Sequence, residues 1–242
     1  MNSVTSMNSV RKVAVITGAS RGMGAALVEA YRGRGYGVVA TARSIRPTND
    51  DQILAVPGDI ADRKTAERAI SGGLDRFGRI DTLINNAGIF IAKRFTQYTE
   101  ADYAAILGVN LAGFFHITQL AIAEMEKHHS GHVVQITTSL VDHADSHLPS
   151  ALASLTKGGL SAATRSLAIE YARNGIRVNA VSPGVIKTPM NPPETHAQLA
   201  KLHPLGRMGE ISDIVDAILY LESAEFVTGE TIHVDGGQSA GH

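Results

Sequence analysis

Val13-Ala14-Val15-Ile16-Thr17-Gly18-Ala19-Ser20-Arg21-Gly22-Met23-Gly24 is the stretch whose reading decides the fold. A short apolar, β-branched run ends in a turn carrying Gly18, Gly22 and Gly24, and helical periodicity follows from about Ala25 to Tyr31. Strand, glycine turn and helix in that order let a backbone approach a ligand closely and aim amide groups of a helix N-terminus at a pyrophosphate. The spacing is Gly-x-x-x-Gly-x-Gly rather than the general Gly-x-Gly-x-x-Gly fingerprint, and a tight strand-to-helix corner is the plainer alternative.

Outward from this stretch the same alternation continues. Val38–Thr41, Ile53–Val56, Thr82–Asn85, Val133–Thr137, Val178–Ser182 and Thr231–Asp235 read as further strands. Between them, Ala66, Ile70, Leu74 and Phe77 share one helical face, as do Leu107, Leu111, Phe114, Thr118, Ile122 and Met125, and then Leu160, Thr164, Leu167 and Tyr171. The pattern predicts a single-domain, three-layer α/β fold with a doubly wound, mostly parallel sheet over residues 11–242. Ligands of such sheets bind beyond the carboxyl ends of the strands, so the turns after the strands are where function is sought. Pro189, Pro192, Pro193 and Pro204 interrupt the segment from about 185 to 209, which is expected to be a lid.

Composition narrows the class. The 242 residues are 44% hydrophobic with 24 glycines, and 22 basic against 23 acidic residues give a net charge of −1 without a basic block. That argues against nucleic acid and for a small-molecule ligand. The absence of cysteine excludes disulfides and thiolate metal sites and suits a reducing, cytoplasmic setting. Residues 1–10, polar and repeating Met-Asn-Ser-Val, lack a signal-peptide core and read as a disordered leader. No apolar run approaches the ~20 residues of a membrane span, so no membrane contact is expected.

The second strand bears on which dinucleotide is bound. An acid on the ribose 2′-hydroxyl would mark NAD, yet Ala40-Thr41-Ala42-Arg43-Ser44 offers none. Arg43 instead supplies a guanidinium for a 2′-phosphate, with Arg21 as a second charge, which points to NADP(H); two solvated arginines are the alternative.

These marks together resemble the short-chain dehydrogenase/reductases from Val13 to Gly237. They comprise Thr17 to Gly24, Gly58-Asp59-Ile60, Asn85-Asn86-Ala87-Gly88, Asn110, Lys157, Pro183-Gly184, Thr228-Gly229 and Val234-Asp235-Gly236-Gly237. The resemblance implies a Rossmann-type fold, hydride transfer between a nicotinamide and a small carbonyl or alcohol, and a homo-oligomer, commonly a tetramer or else a dimer. It places Gly18, Ser20, Arg21, Gly22, Met23, Gly24 and Arg43 on the cofactor, Asp59 and Ile60 beside the adenine, and Asn86, Ala87 and Gly88 along its path. Pro183 and Gly184 also fall on the cofactor, Thr188 at the nicotinamide carboxamide, Lys157 on the ribose, and Asn110 in a water relay. For the hydroxyl that orients the substrate oxygen, Thr137, Thr138 and Ser139 stand together, and Ser139 is the choice; strand-end capping is the alternative.

The departure is at position 153, where the family would carry its proton-transferring tyrosine and this chain has Ala153. The loop before it holds Asp142, His143, Asp145 and His147. His147 is the candidate substitute acid, against a polar surface loop or a water in the vacated space. His128, His129 and His132 bracket a turn and are read as solvated; no metal is expected. Two functions remain in view: an NADP(H)-dependent oxidoreductase with a non-standard proton donor, and a catalytically impaired dinucleotide-binding sensor or oligomer partner.

Overall fold

Seven strands, β1 (Val13–Thr17), β2 (Gly37–Ala42), β3 (Ile53–Pro57), β4 (Thr82–Asn85), β5 (Gly131–Ile136), β6 (Ile176–Pro183) and β7 (Thr231–Val234), lie in the order β3-β2-β1-β4-β5-β6-β7. Every neighbouring pair in this computed structural model, which describes residues 11–146 and 148–241, is parallel. The leader expected over residues 1–10, and His147, lie outside the described residues.

Helices α1 (Gly22–Gly33), α2 (Arg63–Phe77), α3 (Glu100–Leu107), α4 (Gly113–His128), α5 (Ala151–Tyr171), α6 (His196–Leu199) and α7 (Ile211–Ser223) complete the layers. Side chains alternate across a strand, and in β1 Val13 and Val15 pack with Ile70, Ile117 and Ala168 of α2, α4 and α5. Ala14 and Ile16 pack on the other face with Leu27 and Tyr31 of α1 and Ile214 and Ile218 of α7. A sheet covered on both faces explains why the strands read as continuous apolar runs rather than as alternating ones. Local chemistry sets the helix ends. The Asp62 side chain accepts from the Lys64 amide at the start of α2, which closes at Gly78 in the left-handed region (φ 83°).

Two expectations needed adjustment. Glu100–His128 forms one helical run of 29 residues, long and apolar enough to cross a membrane by length and composition. In this fold one face of it packs into the core, burying Ile106, Asn110, Ile117, Ala121 and Met125, while Tyr103 and Phe115 stay exposed. Gly108–Ala112 within it are π-helical, an irregularity that the apolar periodicity did not reveal and that commonly marks a functional position. His132, expected in a solvated turn, is instead buried at the start of β5 against Glu222 and Asn179, while His128 and His129 are exposed at the end of α4.

Candidate active site

The strand order reverses at β1, whose neighbours β2 and β4 lead to opposite halves of the sheet, and a cleft opens there beyond the carboxyl ends. Its cavity of about 280 Å³ is lined by the turns after β1, β2, β3 and β4: Gly18 and Ser20 to Gly24, Ala42 to Ser44, Gly58 to Ile60, and Asn86 to Ile89. Gly18 (φ 65°) and Gly22 (φ 58°) occupy the left-handed region, and a Cβ on Gly24 would lie 2.2 Å from the Gly18 carbonyl oxygen. The turn is therefore held by glycine for steric reasons. Asn86 Nδ2 donates to the carbonyls of Thr17 (2.8 Å) and Gly18 (3.2 Å), and the Ala87 amide donates to Thr17 Oγ1 (2.9 Å), so the turn after β4 braces the turn after β1.

This cleft fits a dinucleotide. The 12-residue helix α1 has no side-chain cap at Arg21 and no acid in its first turn, leaving its N-terminal amides to an outside anion. Arg21 and Arg43 are exposed on the rim, and among the described residues neither guanidinium has a side-chain partner. The end of β2 carries no carboxylate that would repel a 2′-phosphate.

A second cavity of about 240 Å³ adjoins the first, sharing Met23, Asn86, Gly88, Ile89, Thr188 and Met190 with it. Phe90, Ile136, Leu140, Leu148, Val185, Ile186 and Leu199 make it largely apolar, and Thr137, Thr138, Ala153, Lys157, Pro183, Gly184 and Asn191 complete the wall. The lid expected from about 185 to 209 contributes Met190 and Leu199 to this wall. Its base is clasped by a bridge between Ile186 and Gly209, with the Lys187 amide 2.9 Å from the Gly209 carbonyl.

Lys157 is buried, and its Nζ donates to the Ile136 carbonyl at 2.6 Å. Burial alone lowers the ammonium to about 8. A Cβ on Gly88 would stand 3.1 Å from Nζ and 3.5 Å from Asn110 Oδ1, which explains why glycine occupies that point where three segments converge. Asn110 accepts from the Ile89 amide (2.9 Å) and donates to the Ile89 carbonyl (3.1 Å), fixing the strand-end loop against the π-helical turn. Its Nδ2 also reaches Thr156 Oγ1 at 3.2 Å.

Ser139 requires a correction. Its Oγ is buried and donates to Gln238 Oε1 at 2.9 Å, and it does not line either cavity. Thr138, one residue earlier, lines the apolar cavity, its hydroxyl also lying 3.4 Å from the Leu140 amide. The loop that follows is fastened to the C-terminal segment twice, through Ser139–Gln238 and through His233 Nε2 and Asp142 Oδ2 at 3.0 Å. Among the described residues lining this cavity, Lys157 is the one titratable side chain.

Sequence reasoning missed His203. Its Nε2 accepts from the Val185 amide at 2.9 Å, and a Cβ on Gly184 would stand 2.7 Å from that nitrogen, so it props the corner after β6. Burial depresses its pKa, keeping the imidazole neutral at pH 7. A lone histidine in a proline-broken segment gave no pattern to find it by.

The chain matches the Enoyl-(Acyl carrier protein) reductase family over residues 18–239. It is 35% identical over 247 aligned positions to (2S)-((R)-hydroxy(phenyl)methyl)succinyl-CoA dehydrogenase subunit BbsD of Thauera aromatica, covering 96% of this chain and 98% of that one. Among solved structures, ElxO with NADP bound superposes with a TM-score of 0.88 at 26% identity, over 96% of this chain and 100% of that one. A 3-ketoacyl-(acyl-carrier-protein) reductase from Brucella melitensis complexed with NADH gives 0.86 at 29% identity, again over 96% and 100%.

Proposed function

The chain belongs to the short-chain dehydrogenase/reductases, and we propose that it is an NADP(H)-dependent oxidoreductase interconverting a small, uncharged, predominantly apolar carbonyl compound and its alcohol. The observation that carries this reading is the joining of two cavities. One is rimmed by Arg21 and Arg43, which have no side-chain partner among the described residues, at an uncapped helix, and the other is apolar with a buried lysine at its end. Relatives with NADP or NADH bound support a nicotinamide dinucleotide. Arg43 beside Ala42, where an acid would select the unphosphorylated ribose, favours the phosphorylated form.

When bound, the nicotinamide supplies or accepts the hydride. The chain's own residues do the rest. With the cofactor bound, the amides of Gly22 to Gly24 would take the pyrophosphate, Arg43 and Arg21 would hold the 2′-phosphate, and Asp59 and Ile60 would flank the adenine. Lys157 and Thr188 act at the ribose and carboxamide end. Thr138 offers a hydroxyl to orient the substrate oxygen, and the apolar wall from Phe90, Leu148, Val185, Met190 and Leu199 excludes water and charged substrates. A cytoplasmic homo-oligomer is part of the same proposal, on family resemblance.

A second reading, a dinucleotide-binding protein without turnover, is favoured by Ala153, which leaves no phenol in the cavity. One experiment separates them: calorimetric titration with NADPH and NADH, alongside NADPH oxidation against a panel of apolar ketones and aldehydes. Tight NADPH binding with turnover supports the oxidoreductase, tight binding without any turnover supports the binder, and no binding of either dinucleotide rejects both.

A further inference from the structure

We propose that Lys157 is itself the proton donor of this site, passing a proton from its ammonium to the oxygen of the bound carbonyl, an inference that rests on the reductase reading above. Three observations converge on it. Lys157 is the one titratable side chain among the described residues lining the apolar cavity, and so the one ionisable proton source those residues offer there. Its ammonium has three N–H donors, and its hydrogen bond is to the Ile136 carbonyl, with no carboxylate paired to it among the described residues. Ala153 lies one helical turn before it on the same face of α5 and also lines the cavity, so only a methyl group stands beside the lysine where a larger side chain would come between it and a ligand.

The neighbouring hydroxyls divide the remaining work. Ser139 is tied to Gln238 and takes no part, whereas Thr138 is placed to hold the substrate oxygen. An aliphatic hydroxyl is too weak an acid to replace the lysine. A desolvated ammonium that ionises at about 8 is matched to proton transfer near neutral pH, where an ordinary lysine would hold its proton too firmly. In the reducing direction the reduced nicotinamide, when bound, would supply a hydride with its two electrons to the carbonyl carbon, and the C=O π pair would move onto oxygen. That oxygen takes the proton from Nζ, and the neutral amine is reprotonated from solvent. The nicotinamide is the species oxidised and the carbonyl the species reduced.

The test combines three measurements on the full chain. NADPH-dependent reduction of the best ketone from the panel is followed from about pH 6 to about pH 10 for the wild type, Lys157→Arg and Lys157→Ala, the last with and without ethylamine. Separately, without cofactor, lysines are reductively methylated with ¹³C-formaldehyde, and the signal missing from Lys157→Arg is titrated by NMR. Wild-type kcat should fall above about pH 8, and Lys157→Arg, whose guanidinium does not release its proton, should lose on the order of 100-fold or more. Ethylamine should restore turnover to Lys157→Ala saturably, and the NMR signal should titrate well below the ordinary lysine value. The inference is overturned by Lys157→Arg retaining turnover within about threefold, by a wild-type rate flat to about pH 10, or by an NMR pKa at the ordinary ~10.4. If the variants do not fold, the wild-type pH profile decides. Absence of wild-type turnover on every carbonyl overturns the reductase reading and this inference together, whereas turnover that survives Lys157→Arg overturns the inference alone.

Discussion

Replacing Glu222 by glutamine tests the end of the sheet opposite the cleft, where one buried carboxylate joins elements distant in sequence. It accepts from Tyr31 Oη (3.1 Å), Tyr36 Oη (3.0 Å), Thr82 Oγ1 (3.1 Å) and His132 Nδ1 (2.9 Å), linking α1, β4 and β5 to the end of α7. Asn179 fixes the histidine tautomer: its Oδ1 accepts from the Glu230 amide and its Nδ2 donates to the Val227 carbonyl. The same Nδ2, 3.3 Å from His132 Nε2, makes that nitrogen the acceptor and Nδ1 the donor. Burial raises the Glu222 pKa, but the hydrogen bond from His132, the charge that histidine carries when protonated, and hydrogen bonds from Tyr36 and Thr82 outweigh it and bring the carboxyl from 4.5 down to about 2. A drop of that size corresponds to about 3 kcal/mol of stability at pH 7, at about 1.36 kcal/mol per pK unit. Because the folded value is the lower one, the contribution is fully present above the unfolded pKa of 4.5 and is lost as pH falls toward 2. Urea unfolding at fixed protein concentration should therefore show Glu222→Gln weaker by about 3 kcal/mol at pH 7, the gap narrowing by about 1 kcal/mol between about pH 5 and pH 3.5. A gap under about 1 kcal/mol at pH 7, or one that does not change with acid, would refute the reasoning.

Three further outcomes follow from the site. Arg43→Ala should weaken NADPH binding at least about tenfold, about 1.4 kcal/mol, while leaving NADH unchanged by calorimetry; equal losses for both would remove the 2′-phosphate assignment. Gly24→Ala drives a Cβ to 2.2 Å from the Gly18 carbonyl oxygen, so the turn must open. A loss of roughly 1–3 kcal/mol in urea unfolding is expected, together with loss of NADPH binding; a variant with wild-type stability and affinity would contradict the clash. Ala153→Tyr should place a phenol in the apolar cavity and raise carbonyl reduction by about tenfold or more, and no gain with fold and NADPH affinity intact would show that the cavity is arranged for another donor.

How much of this was readable beforehand depends on how local the determining contacts are. β1 and the glycine turn were legible to the residue because the strand is buried on both faces and the turn is dictated by sterics within a few positions. The ends of β5 were not. The expectation began at Val133, whereas the strand starts at Gly131, because polar His132 is accommodated by Glu222, 90 positions away. Asp59, Asn86 and Arg43 fall in the cleft because they occupy the first positions after their strands, which topology alone brings together. The hydroxyl choice failed for the opposite reason. The chain leaves β5 at Ile136 and turns into a short 3-10 stretch at Ser139, whose hydroxyl is drawn away by Gln238, 99 positions on, while Thr137 and Thr138 line the cavity.

Position 153 shows the same division at the level of chemistry. That the phenol is missing needed only one residue, but its consequence depends on whether neighbours have filled the space. Apolar cores tend to relax only partly around a deleted side chain, leaving part of the cavity behind. Here Ala153 still lines a cavity of about 240 Å³ with Lys157 beside it and Thr138 in the same wall. The groups that would position a carbonyl oxygen and give it a proton therefore line one cavity, with only a methyl group at position 153 between them. Burying an ammonium that has no carboxylate partner among the described residues costs stability, a cost that a ribose contact and a proton donor would each justify. What separates the two readings is the apolar cavity onto which that lysine also opens, with Thr138 in its wall: a ribose contact needs neither, whereas proton transfer to a carbonyl oxygen uses both.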